Sequence, residues 1–311
     1  MSLSALRAAL PDLTVRPPAT ADAAAVTALI AACELDAHGE VEITEEEVHE
    51  FFALPSVDIE HDVVVVNDGP DLVGYADVNR ARATACVAPS YRGRGIGTAL
   101  ARWTQARARA LGFATVGQTV SDLDLGAGRL LEALGARQTH TAWVLRLDLE
   151  RVDIPAPSLP AGHVLRDALP EEERAVFDTI ETAFSEWPGR EPGSFEDWVV
   201  STTRREGWQP WMAPVVVDPG GRIVGVATLR RYPDESWVDQ LAVASDRRRE
   251  GIGIALLHHA FGVFRGLEPA VGLSTDSRTG ALDLYLRAGM HVRRSYTRWT
   301  FDLADEQDAS G

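Results

Sequence analysis

Apolar residues along the chain fall into short runs and helical stripes that recur in the same order in its two halves. Each half opens with a short strand, at 13–17 and 163–166. Apolar residues at helical spacing follow: Ala21, Ala25, Val26, Leu29 and Ile30, then Ala175, Val176, Ile180, Ala183 and Phe184. Paired strands are predicted next, at 63–67 with 72–78 and at 213–218 with 222–229, across the hairpin residues Asp68-Gly69-Pro70 and Pro219-Gly220-Gly221. Each half then reads as a strand, a glycine-rich turn, a helix, a strand, a second helix and a last strand, at 143–148 and 296–303. Glu45, Glu46 and Glu47 form the first turn of a helix capped by Thr44. The expected architecture is a mixed, mostly antiparallel sheet flanked by helices, of the α/β or α+β class.

The recurrence extends to local motifs. Leu13-Thr14-Val15-Arg16 returns as Val164-Leu165-Arg166, and Leu72-Val73-Gly74-Tyr75-Ala76 as Ile223-Val224-Gly225-Val226-Ala227. A chain of 311 residues has room for two ordinary cores. Two homologous domains are therefore expected, at 13–150 and 163–304. Between them 151–162 is rich in proline, a composition that favours an extended connector.

Charge and composition narrow the chemistry. The 46 acidic residues outnumber the 30 basic ones, for a net charge of −16, so nucleic acid and anionic membranes are poor partners. Local clusters such as Arg247, Arg248 and Arg249 can still hold a small polyanion. Every basic residue is an arginine, and the missing lysine excludes a Walker phosphate loop and Schiff-base chemistry. The two cysteines, Cys33 and Cys86, are too few for a disulfide framework or a cysteine metal site, which fits a reducing compartment. No apolar run approaches a membrane span and no secretory leader is readable, so the cytoplasm is expected. Either a monomer or a homodimer is compatible with the sequence.

The glycine-rich turns carry the strongest signal. Arg92-Gly93-Arg94-Gly95-Ile96-Gly97, followed by Thr98, and Arg248-Arg249-Glu250-Gly251-Ile252-Gly253, followed by Ile254, each lie between a strand ending in valine and a helix. Free backbone N–H groups at such a junction converge on one point with a helix dipole behind them, which suits a diphosphate. A dinucleotide fingerprint fails at Thr98 and Leu256, where its third glycine belongs. The pattern that does match, twice, is R-x-x-G-x-G. It resembles the coenzyme A pyrophosphate loop of the GNAT superfamily of N-acetyltransferases, and the duplication resembles the bacterial tandem members that include mycothiol synthase. The resemblance covers nearly the whole chain. It implies two GNAT domains, acetyl-CoA as cosubstrate, a small-molecule amine as partner and no metal. It further implies that backbone groups at Val87 and Val243 hold the acyl carbonyl and pantetheine arm, while the amides of Arg92 to Thr98 and Arg248 to Ile254 hold the pyrophosphate.

Amine acetylation needs a deprotonated nucleophile and a stabilised thiolate leaving group. The family commonly supplies a strand carboxylate and a helix tyrosine. Asp239 precedes Val243 by four positions, and period-2 alternation puts both on one strand face. The family carboxylate often stands one step earlier than this, at Trp237, so Glu235, Glu186 or water remain alternative bases. Tyr285, in Leu284-Tyr285-Leu286-Arg287-Ala288-Gly289, matches the family's LYxxxG tyrosine facing the coenzyme sulfur. The first half has no carboxylate in Ala81–Val87 and has Leu131 in the tyrosine's place. The C-terminal domain is thus expected to be catalytic, with direct attack in a ternary complex, and the N-terminal domain to bind coenzyme A without fast turnover. Two alternatives stay open: a non-catalytic acyl-CoA sensor, and a synthase acting on a cysteinyl amine. Ser277 stands where relatives often carry asparagine. His258 and His259 face different sides of one helix and suggest neither a metal pair nor a dyad. Trp187, Trp198, Trp208 and Trp211, with Glu186, Glu191 and Glu206, are read either as an aromatic acceptor wall or as packing.

Overall fold

The computed structural model describes residues 1–232 and 235–304. The chain divides into two compact units, one comprising Met1–His140 with the chain from Tyr296 onward, the other Thr141–Ser295.

Unit 1 contains α1 (Leu3–Ala9), β1 (Thr14–Arg16), α2 (Ala23–His38), α3 (Glu45–Phe52), β2 (Val63–Asp68), β3 (Asp71–Asn79), β4 (Arg82–Val87), α4 (Ile96–Ala110), β5 (Thr115–Ser121) and α5 (Leu125–Ala133). Unit 2 repeats the plan with β7 (Val164–Asp167), α6 (Glu173–Phe184), α7 (Phe195–Ser201), β8 (Pro214–Val217), β9 (Ile223–Arg231), β10 (Ser236–Val243), α8 (Ile252–Phe264), β11 (Ala270–Asp276) and α9 (Leu282–Arg287). Two long strands remain, β6 (Arg137–Asp148) and β12 (His291–Asp302). Within unit 1 the sheet order is β1-β2-β3-β4-β5-β12, and within unit 2 it is β7-β8-β9-β10-β11-β6. Neighbours are antiparallel except β4 with β5 and β10 with β11.

The last strand of each sequence half is therefore exchanged. β6 pairs with β11 from Ala142 to Asp148, and β12 pairs with β5 from Tyr296 to Asp302. The compact units depart from the sequence ranges 13–150 and 163–304 at this point. Both closing strands present the same alternating pattern, so either one satisfies the open edge of β5 or β11, and local sequence cannot choose between them.

Strands buried on both faces explain the unbroken Val63-Val64-Val65-Val66 run. Val64 and Val66 pack with Leu6, Ile96, Leu100 and Trp103 on the α4 side, whereas Val63 and Val65 pack with Val26, Leu29 and Val48 on the α2 side. Unit 2 has the same two layers, around α8 and around α6 and α7. The repeated glycine on β3 and β9 has a packing cause: a Cβ on Gly225 would lie 2.5 Å from Ile252 Cγ2, and one on Gly74 3.2 Å from Ile96 Cγ2. Gly74 and Gly225 thus let the first turn of α4 and α8 press against the sheet.

Some elements fall outside the sequence reading. α1, capped by Ser2 Oγ accepting from Ala5 N at 3.2 Å, is too short to show periodicity, yet it buries Leu6 completely. The Thr44 cap does form, with Thr44 Oγ1 accepting from Glu47 N at 3.2 Å and Glu47 Oε2 accepting from Thr44 N at 2.9 Å. The connector 153–162 contains no helix or strand, but Ile154 and Leu159 pack on the α8 layer, and Arg265 donates to Leu149 O and Val152 O. It is a strap along unit 2.

Candidate active site

The site begins as a gap between parallel strands. β10 and β11 are paired only at Ser236, Trp237 and Val238, against Val271, Gly272 and Leu273. Beyond that point β10 stays with β9 as far as Val243, while β11 stays with β6 as far as Asp276. The facing edges of 239–243 and 274–276 are thus released from one another, which leaves backbone donors and acceptors for an extended ligand. In unit 1 the divergence comes earlier, since β4 meets β5 only at Arg82 and Gly117.

Asp239 sits where the strands part. A β-bulge between Val238 and Gln240 makes Asp239 the extra residue and breaks the expected alternation. Val238, Leu241 and Val243 face the α8 layer while Ala242 faces the other, so Asp239 does not share the Val243 face by simple period-2 counting. Its carboxylate accepts from Arg205 Nη1 at 3.0 Å. That arginine side chain is only 3% exposed and also donates to Leu229 O. Asp239 is therefore the counter-ion of a buried guanidinium as well as a group at the mouth of the cleft. No sequence signal marked Arg205, which lies in a loop without periodicity.

The glycine turns close the inner end. Arg249 and Gly251 both take left-handed backbone, with φ of 66° and 90°, and Gly251 caps α8. The first intrahelical bond of α8 runs from Ala255 N to Gly251 O, so the amides of Ile252, Gly253 and Ile254 precede it. Unit 1 repeats this with Gly93 at 78°, Gly95 at 84° and Ala99 N to Gly95 O. Successive left- and right-handed residues ahead of a helix form an anion-binding nest, and the two turns fit a diphosphate. Ile96 and Ile252 contribute through backbone only, because their side chains are buried at 1% exposure.

The loop side chains are less uniform. Arg248 donates to Glu186 Oε2 at 2.6 Å and to Val243 O at 3.3 Å, and its counterpart Arg92 donates to Asp36 Oδ2 at 2.6 Å. These pairs tether the loop to the last turn of α2 in unit 1 and to the chain just after α6 in unit 2. Arg94 lies over the Tyr91 ring at 4.4 Å, and Glu250 is 4.0 Å from Arg247. Gly97, Thr98 and Gly253 lie in the first turns of α4 and α8.

Tyr285, on α9, is 7% exposed and belongs to the α8-side core. Burial pushes its hydroxyl up to about 12, so it stays protonated through the neutral range. In unit 1 Leu131 occupies the same place at 3% exposure. Both helices end alike, with Met290 N donating to Tyr285 O and Ala136 N to Leu131 O, at a glycine with φ of 91°.

A loop after α6 is held on both sides of the gap. Arg248 grips Glu186, and Arg278, anchored on Asp276, donates to Pro188 O at 3.3 Å. Trp187, between these anchors, stacks on Phe184 at 4.2 Å. Of the two readings of the four tryptophans, packing holds for Trp198, Trp208 and Trp211. Trp198 is buried in the α6 layer and donates to Gln240 Oε1 at 2.9 Å, while Trp208 and Trp211 pack on the α8 layer. Apolar area drew them into cores that a one-dimensional count cannot distinguish from a pocket. Ser277 pairs with Thr141, its N donating to Thr141 O at 2.9 Å. His258 and His259 line a shallow groove of about 320 Å³ under the strap, and burial lowers both imidazoles.

These features define an acyl-coenzyme A-dependent transferase, and comparison with known proteins agrees. The sequence matches the Acetyltransferase (GNAT) family over residues 27–136 and 173–290, once in each half, and the chain belongs to that family. It is an acyltransferase using an acyl-CoA cosubstrate and an amine acceptor. Among its relatives, mycothiol acetyltransferase of Nocardia farcinica is 29% identical over 92% of this chain and 98% of its own. That of Pseudarthrobacter chlorophenolicus is 29% identical over 76% of this chain and 74% of its own. A GCN5-related N-acetyltransferase from Sphaerobacter thermophilus superposes with a TM-score of 0.76 at 32% identity, covering 94% of this chain and 96% of that one. A tandem GNAT protein from the clavulanic acid biosynthesis pathway shares the fold, at a TM-score of 0.70 and 20% identity over 94% and 99% of the two chains. Among the described residues no helix is long and apolar enough to cross a membrane.

Proposed function

We propose that unit 2 transfers the acetyl group of acetyl-CoA directly to a primary amine of a small molecule, in a ternary complex. The observation that carries this reading is the parting of β10 from β11 after Val238, on a strand that runs into the Gly251 turn; the buried, protonated Tyr285 of the same unit supports it. The amides from Arg248 to Ile254 hold the pyrophosphate, and the free edge near Val243 holds the pantetheine arm and polarises the thioester carbonyl. Arg249, exposed in the turn and without a side-chain partner among the described residues, supplies a cation to the phosphates.

Asp239 takes the ammonium proton, directly or through water. Tyr285 serves the leaving group. A thiol ordinarily titrates near ~8.5, well below a hydroxyl at about 12, so Tyr285 stabilises the thiolate mainly as a hydrogen-bond donor and not by full proton transfer. The acceptor enters beside Trp187 and Phe184, where an apolar wall meets Glu186 and Glu191. Unit 1 binds acyl-CoA and turns over slowly. A cysteinyl amine is the second reading of the acceptor, favoured by the mycothiol acetyltransferases that match over most of the chain. A sensor without catalysis is not favoured by such relatives.

Thiol release from acetyl-CoA, measured against an amine panel, tests the activity. Tyr285→Phe should lower kcat by roughly ten- to a hundredfold with little change in coenzyme affinity by calorimetry. Equal kcat for parent and variant removes Tyr285 from the reaction.

A further inference from the structure

The two cysteines of this chain, at positions 33 and 86, lie in one apolar layer of unit 1. Cys33 lies on the inner face of α2 and Cys86 is the penultimate residue of β4, and both pack against the α2-side core. Cys33 Sγ donates at 3.3 Å to Val87 O, the carbonyl of the residue next to Cys86, and the Cys33 and Cys86 side chains pack against the same apolar core. Both residues are partly exposed.

Packing alone does not require sulfur here. Counting from the matching Arg16–Asp22 and Arg166–Glu172 ion pairs, Cys33 corresponds to Ala183; counting back from the valine before each glycine turn, Cys86 corresponds to Ala242. Ala183 and Ala242 fill the same layer of unit 2 at 5% and 2% exposure. A duplicated fold thus closes this contact with two methyl groups, and unit 1 has two thiols in their place.

The surroundings make the thiols unequal. The Cys86 S–H bond, then the Arg92 guanidinium, hold the Cys33 thiol below its ordinary value, against the cost of burial. The Cys33 sulfur, burial and the nearby Asp77 push Cys86 well above its own. A low-lying thiol in the same layer as a second thiol, beside Val87, is the arrangement of an attacking and a resolving cysteine.

We propose that Cys33 and Cys86 form a reactive dithiol that a small hydroperoxide converts to an intramolecular disulfide. The Cys33 thiolate attacks one peroxide oxygen; the O–O bond breaks, and the other oxygen leaves and takes a proton to become water or an alcohol. The Cys86 sulfur then attacks the sulfenic sulfur of Cys33. The S–O bond breaks, and the hydroxide leaves as water with the Cys86 proton. Two electrons pass from the two sulfurs to the peroxide, and the new bond ties α2 to β4 beside Arg92 and Val87. This inference is independent of the acetyl-transfer reading.

The full-length protein, treated with equimolar hydrogen peroxide, is read by intact mass and by thiol titration after denaturation. The expected result is a monomer lighter by two hydrogens with no titratable thiol, restored by dithiothreitol. In Cys86→Ser the reaction should stop at a Cys33 sulfenic acid captured by dimedone. Cys33→Ser should react at least tenfold more slowly. A parent protein that keeps both thiols, adds oxygen at either one without losing the pair, or couples between molecules overturns the proposal, and this outcome does not depend on how either variant folds.

Discussion

Units 1 and 2 share a scaffold and differ in what they place on it. Both turn a glycine loop into a helix through left-handed residues, both press an isoleucine into a strand glycine, and both tether the loop arginine to a carboxylate at or just past the end of α2 or α6. Around the cradle the residues diverge. Tyr285 faces Leu131 across the duplication, Arg249 faces Gly93, and Ala183 with Ala242 face Cys33 with Cys86. Even a cross-strand pair has changed: Asp77 with Thr84 in unit 1 corresponds to Thr228 with Gln240 in unit 2. Backbone conformation and close packing tolerate few residue types, so the loop persists. Side chains around the loop are under no such backbone constraint and differ between the units.

The largest expected effect breaks the symmetry at the cradle. Gly251→Val places a branched side chain at φ 90° and should lower acetyl transfer by roughly a hundredfold or more, whereas Gly95→Val should leave it within a few fold. Comparable losses in thiol release for both variants would show that catalysis is not confined to unit 2.

Asp239→Asn separates a base from a counter-ion. Loss of a base should slow turnover by about a hundredfold and recover as pH rises, because more of the amine arrives deprotonated. Loss of a counter-ion for Arg205 alone should lower the melting temperature and leave a uniform rate deficit across pH.

Unit 1 should carry its own pH signature. Burial raises Asp77 from 3.8 to about 7 despite its bonds to Tyr75 and Thr84. Between those values the unfolded chain has released this proton and the folded unit retains it, so stability falls as pH rises from about 4 to about 7. The contribution is at most roughly 4 kcal/mol by the usual conversion. Asp77→Asn should flatten that slope in thermal melts and leave the transition of unit 2 in place; an unchanged slope would assign the pH dependence elsewhere.

The smallest change tests Arg249. Removing left-handed strain by Arg249→Gly should change stability by no more than about 1 kcal/mol, since relief of strain is offset by added chain entropy, while weakening coenzyme binding through the lost cation. Unaltered affinity by calorimetry would confine phosphate binding to backbone amides.

Several features could be read directly from the amino acids. The duplication, the paired strands, the Thr44 cap and both glycine turns are local signals: an R-x-x-G-x-G turn needs its glycines wherever it folds, and alternation or helical spacing reports the faces of an element. The helix that carries Tyr285 was equally visible, since its motif lies within one helical turn and its closing glycine. The bulge at Asp239 was not, because an extra residue in a ladder exists only relative to the partner strand. Nor was the Arg205 pair, which joins a loop to a strand across 34 positions.

Sequence alone thus determined that the chain is a duplicated acyltransferase scaffold with two glycine turns ahead of helices, because those features arise from contacts between near neighbours. Tertiary structure alone decided the exchange of β6 and β12, the dispersal of the four tryptophans and the placing of Cys33 and Cys86 in one layer. These outcomes depend on which distant surfaces compete for the same edge or the same apolar layer, and that competition is resolved only when the whole chain packs.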